Sequence, residues 1–144
     1  MSDLYANHMT PGPLIRARLV SATGLDSSLV GDLGDLYAAN LAGHPNQQAI
    51  YVAFGGEGEG SKSPGDGIGL DHVWHTWLLQ RVDYSGWEDA YGVLRATMVC
   101  ALEGWQPAAD MSPMELIPSQ STVGDWPGLR EDLMSWRVSQ ISFI

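Results

Sequence analysis

The chain has 144 residues, 17 acidic against 7 basic side chains for a formal net charge of −10, and a single cysteine, Cys100. That length suits one domain over residues 1–144, and with Lys62 its only lysine the chain is a poor clamp for nucleic-acid or membrane phosphates. One cysteine excludes an internal disulfide framework and a multi-cysteine zinc site, and no apolar run approaches the roughly 20 residues of a membrane span.

Met1–Thr10 lacks a basic segment followed by an apolar one, so no secretory signal is expected and the chain reads as a soluble protein made inside the cell. Pro11-Gly-Pro13 opens a helix over 11–23, because proline fits the first turn and Gly24 fits the stop. Leu14, Ile15 and Leu19 give it an apolar stripe. Leucines at 29, 33, 36 and 41 suggest short helical pieces over 25–43, interrupted by Gly31, Gly34 and Gly43. Gln48–Phe54 is a strand by its β-branched and aromatic content. Gly55–Gly69 follows, with seven glycines in fifteen residues and almost nothing to bury. Such a stretch cannot offset its ordering entropy and reads as a mobile loop between two strands.

Leu70–Asp83 resumes as a long strand, with Val73, His75, Trp77, Leu79 and Arg81 on one face and His72, Trp74, Thr76, Leu78 and Gln80 on the other. Both faces are mixed, so each should be covered for part of its length. Ser85 with Glu88 three residues on has the capping-box pattern. Trp87, Tyr91, Leu94, Met98 and Leu102 then recur at helical steps up to Gly104. Met114–Ile117 reads as a short strand, Asp125–Gly128 as a turn and Leu133–Ile144 as a C-terminal strand. This order predicts an α+β fold: a mostly antiparallel sheet packed against a long helix and an N-terminal helix, with the glycine-rich loop between two strands.

Few patterns carry chemistry. Gly60-Ser61-Lys62-Ser63 does not place lysine after glycine as a phosphate-binding loop requires, and Glu57 and Glu59 would repel the anion. Asp71, His72 and His75 offer three metal-ligand types in five residues, but strand alternation sends His72 and His75 to opposite faces. Cys100 sits in a helix body with nothing to lower its pKa. The acidic pairs Glu88-Asp89 and Glu131-Asp132 read as solvated charge. No enzyme activity, catalytic residue, cofactor or metal is therefore expected. Six tryptophans with only 17% charged residues suit a subunit of an assembly, with most of the rings in a core and Trp126 at a subunit contact.

Several stretches together resemble a known family. They are the strand Gln48–Phe54, the glycine-rich excursion, the long strand with Trp74 and Trp77, Asp89-Ala-Tyr-Gly-Val-Leu94 and Ala101-Leu-Glu-Gly-Trp-Gln-Pro107. With the N-terminal helix and Trp136-Arg-Val138, this layout is similar to the tail-terminator proteins of Mu-like phages and prophages, which share the phage tail-protein-like fold of the lambda tail terminator. The resemblance implies a virion structural protein without catalytic residues: a hexameric ring near the head–tail junction. That ring stops growth of the tail tube, contacts the tube protein and meets the head connector or adaptor. A head–tail joining or tail-completion protein is the neighbouring alternative; a small acidic enzyme or ligand-binding domain built on Asp71–His75 is the alternative from another class. The candidate contact residues are Gly56, Glu57, Glu59, Lys62 and Asp66 of the excursion, with Trp126. The excursion is expected to order on docking, and the acidic balance fits a lumen through which DNA passes without sticking.

Overall fold

The computed structural model describes residues 9–36, 47–58, 62–63, 67–118, 121–126 and 128–142. Helix α1 spans Pro11–Thr23 and ends where Gly24 adopts a left-handed φ of 73° and its N–H closes on the Val20 carbonyl. Its buried side is Pro11, Gly12, Ile15 and Leu19, and Leu14 of the expected stripe is half-buried. A 3-10 turn at Ser27–Leu29, a two-residue strand β1 (Val30–Gly31) and a helical turn at 33–36 follow. The rest of the ambiguous stretch lies outside the described residues.

The sheet is built on two long strands, β4 (Gly67–Arg81) and β7 (Leu129–Ser142), antiparallel in unbroken register from Ile68↔Ser142 to Arg81↔Leu129. Strand β2 (Gln48–Gly58) lies antiparallel on the other side of β4, and β1 runs parallel to β2 at Ile50 and Tyr51. The order across the sheet is β1-β2-β4-β7-β5, where β5 is Glu115–Leu116. Strand β3 (Lys62–Ser63) pairs with β4, and β6 (Thr122–Trp126) pairs with β7. Helix α2, Trp87–Leu102, carries Leu94, Met98, Ala101 and Leu102 on its buried side. The fold is α+β with a mostly antiparallel sheet, as the sequence predicts.

Strand alternation decides where the core lies. Ile50 and Val52 of β2, Trp74 and Leu78 of β4 and Met134, Trp136 and Val138 of β7 share the face covered by Ile15 and Leu19 of α1 and Leu94, Met98 and Leu102 of α2. Within this core Trp136 is fully buried, and its indole N–H donates to Thr76 Oγ1 at 3.0 Å. The opposite face has a smaller cluster, Ala49, Tyr51 and Leu79, with Leu36 and Trp77 packed against it. The long strand is thus covered on both faces for part of its length. The helices are also tied together: Arg18 donates to the Ala101 carbonyl at 3.1 Å and lies over the Trp105 ring.

Several local expectations need correction. The described residues of the glycine-rich stretch are strand: Gly55–Gly58 finish β2, Lys62–Ser63 form β3, and Gly67–Gly69 start β4. Main-chain pairing needs no side chain, so Gly69 is held opposite Ile141 through its backbone. Helix α2 is capped by Gly86 at φ 89°, with no side-chain cap bond, so Ser85 does not form the expected capping box. Asp125 and Trp126 belong to β6, and Gly128, at φ 76°, turns the chain into β7 four residues before the expected start at Leu133. Asp132 is not solvated charge: it is 1% exposed on the core side of β7.

Candidate assembly surface

The candidate contact residues fall into two groups that the structure keeps apart. Gly56 sits at a β-bulge, where the register shifts between Phe54 and Gly56 and its own φ reaches 120°. Glu57 pairs with His72, and Lys62 pairs with Ile68. Glu59 and Asp66 lie outside the described residues. Trp126 ends β6 opposite Leu129, which pairs with Arg81. Gly58, by contrast, pairs with Asp71. Ten residues of β4 separate Asp71 from Arg81, or about 33 Å at strand rise. Any surface including both groups spans the full length of the sheet.

The bulge is held by a close approach. A Cβ on Gly55 would lie 2.5 Å from His75 Nε2 and 2.7 Å from its Cδ2, so the imidazole fills the space a side chain would need. His75 Nδ1 and Ser135 Oγ hydrogen-bond at 2.9 Å, and the ring meets Trp77 edge-on at 5.4 Å. Burial pushes the His75 pKa below the usual histidine value, because the site disfavours the charged ring. Asp71, on the same face, accepts from the Ser139 hydroxyl. His72 is fully buried on the opposite face, edge-on to Phe54. The three ligand-type residues are therefore split between faces, as alternation predicts. Among the described residues no three His, Cys, Asp or Glu side chains converge for a metal. Cys100 is an exposed free thiol on α2.

A polar cluster that the sequence reading missed joins α2 to the sheet. Asp132 Oδ2 accepts from the Tyr91 hydroxyl at 2.5 Å and from Arg95 Nε at 2.9 Å. The Arg130 guanidinium lies 4.9 Å from the centre of the Tyr91 ring. Burial, and then the bond to Asp132, raise the Tyr91 pKa above the usual phenol value. Nearby, Gln48 donates to Gln80 Oε1 at 2.7 Å and to the Ala90 carbonyl at 3.1 Å, and Gln80 donates to Tyr84 at 2.9 Å. These bonds brace the start of α2 on the sheet. The signal for Asp132 was its parity, which it shares with Met134, Trp136 and Val138.

The molecule also has a groove of about 430 Å³ where α1 meets the edge of β2. Phe54 and Trp74 line it, edge-on to each other at 5.3 Å, and Gly12 admits the Trp74 ring, whose Cζ3 would lie 3.1 Å from a Cβ there. Arg16 and Asp32 are its polar members.

What the described residues define is thus an α+β fold: two helices on one face of a sheet, a sheet extended at one end by a glycine-rich hairpin, and a braced polar link between layers. Among solved structures, the chain is similar to a chain from the virion of a native gene transfer agent (GTA) particle. The TM-score is 0.53 at 16% sequence identity, covering 93% of this chain and 95% of that one. At that identity the likeness is one of fold. No protein-family description and no curated protein matches the chain. Among the described residues no helix is long and apolar enough to cross a membrane.

Proposed function

We propose that this protein is a structural subunit of a phage-like virion and, within it, a tail terminator: a ring, hexameric in the resembling family, that caps the tail tube and offers the docking surface for the head connector. The observation that carries this reading is the end-to-end likeness of fold to a chain of the GTA virion, which leaves no large part of either chain unmatched. The sequence resemblance to tail terminators points the same way. A role without bond-making chemistry is supported by the split of Asp71, His72 and His75 between two faces, with Asp71 and His75 each engaged by a serine hydroxyl. The net charge of −10 suits a lumen through which DNA slides, since like charge keeps phosphates from sticking.

The second reading, a head–tail joining or tail-completion protein, shares this support, and one experiment separates the two. Particles are produced with the gene removed and their tails measured by electron microscopy. A terminator predicts tubes of uncontrolled length, because nothing stops their growth. A joining protein predicts tubes of normal length lying apart from filled heads. Intact, infectious or transducing particles would exclude both.

A further inference from the structure

We infer that His75 is a proton-operated latch: with its ring neutral it holds the β-bulge and the end of β2, Gly56–Gly58, on β4, and when the ring takes a proton that end peels away. The latch belongs to the single chain and acts whether or not copies assemble. Gly56 and Glu57 are among the candidate contact residues and lie on the run it holds, so it sets whether they are presented as ordered strand.

The bulge has no filling of its own. Gly55, Gly56 and Gly58 bring no side chains, so this run leans on its main-chain pairing, Gly56↔Val73, Glu57↔His72 and Gly58↔Asp71. The space over Gly55 is taken by the His75 imidazole: a Cβ there would lie 2.5 Å from Nε2, 2.7 Å from Cδ2 and 3.0 Å from the Val73 carbonyl oxygen. From the other side β7 anchors the ring, where Ser135 Oγ and His75 Nδ1 hydrogen-bond at 2.9 Å, and Trp77 meets it edge-on from along β4. One side chain thus ties β2, β4 and β7 together at the point where the register shifts.

A neutral imidazole has one donor and one acceptor nitrogen, whereas a charged one has two donors. The charged ring makes Ser135 Oγ an acceptor and brings an N–H against the Gly55 main chain, in a place that burial keeps poor in water. The other groups on this face do not relieve the charge. On β4, Asp71 lies two side-chain positions along, its carboxylate engaged by the Ser139 hydroxyl. On β7, Arg137 stands opposite Val73 and brings a like charge, with Glu115 of β5 opposite it in turn. On β2, Tyr51 lies opposite Trp77 and stays neutral, burial and then Asp35 raising its pKa. Among the described residues no carboxylate pairs with the His75 ring. Burial therefore lowers the His75 pKa while the latch is closed, and the released ring, back in water, holds the proton more tightly. The latch is closed above the ordinary histidine pKa and opens as pH falls through the lowered one.

The test is amide hydrogen exchange on the full chain at pH 7 and pH 5, each rate corrected for the intrinsic effect of pH. Protection at residues 56–58 should fall by about fivefold or more between the two. Protection at the centre of β4 and β7, over Thr76–Leu78 and Met134–Trp136, should hold. His75→Phe and His75→Gln take no proton, and in each the fall at 56–58 should stay below about twofold. The glutamine variant keeps the outcome readable if the larger ring does not fit over Gly55. Protection at 56–58 that ignores pH, or that falls as far in the variants as in the unmodified chain, overturns the latch. A fall of equal size at the centre of β4 and β7 also overturns it, because that marks general acid unfolding and not the release of one end.

Discussion

Replacing Asp132 with alanine tests whether the braced link between α2 and the sheet is a stabilising feature. The carboxylate is 1% exposed and accepts from Tyr91 and Arg95. A hydrogen bond to a charged group is worth about 1.5–3 kcal/mol, and the Tyr91 bond is taken at about 2. Arg95 is 41% exposed and can turn to water when its partner goes, so its share is nearer 0.5 kcal/mol. The vacated volume adds about 1 kcal/mol. The sum is a loss of about 3–4 kcal/mol, or roughly 6–16 °C in melting temperature for a chain of this size. Urea unfolding at neutral pH measures it. Asp132→Asn keeps the shape and an acceptor for Tyr91, and should cost about half as much. A double-mutant cycle with Tyr91→Phe should show coupling of about 1 kcal/mol or more. A loss below about 1 kcal/mol for Asp132→Ala, or no coupling, would refute the claim that this cluster holds the layers together.

Three further outcomes follow from the same structure. Gly55→Ala should cost about 1–3 kcal/mol by forcing the new Cβ into the His75 ring, and His75→Ala in the same chain should recover part of that loss in denaturant unfolding. His75 has a folded-state pKa below its unfolded value, so the unfolded chain binds the extra proton: its share of stability is present above about pH 6.5 and is lost as pH falls through the folded pKa. The stability of His75→Phe should therefore fall less steeply than that of the unmodified chain between pH 7 and pH 5, and NMR titration of the ring should give a midpoint below that of a model peptide. Trp136→Phe should cost about 2–3 kcal/mol, because it leaves a gap in the core and the Thr76 hydroxyl without its donor. A cost below 0.5 kcal/mol in thermal unfolding would contradict the packing described for it.

Where side-chain chemistry dictates structure, the sequence was legible. Proline at the start and Gly24 at the end bounded α1, the three- and four-residue steps from Trp87 to Leu102 traced α2, and alternation along Leu70–Arg81 divided the two faces of β4 correctly. Where the main chain decides, it was not. Glycines offer no side-chain signal, so nothing local announced that Gly55–Gly58 and Gly67–Gly69 would be held by pairing along a fifteen-residue strand. Gly86 rather than Ser85 caps α2 because a left-handed residue lets the chain turn sharply out of β4. Asp132 was hidden by its neighbour: read with Glu131 it is a charged pair, whereas read by parity it belongs inward with Met134 and Trp136. The candidate contact residues carried less still, since Gly56 and Trp126 lie at opposite ends of the sheet and only the strand registers reveal it.

Electron microscopy of the purified, full-length chain at high concentration bears most directly on the idea that this protein works by fitting against copies of itself. Closed rings of uniform diameter with an open, arginine-poor lumen are the predicted result. A population of single subunits, or a lumen lined by arginines, would contradict it.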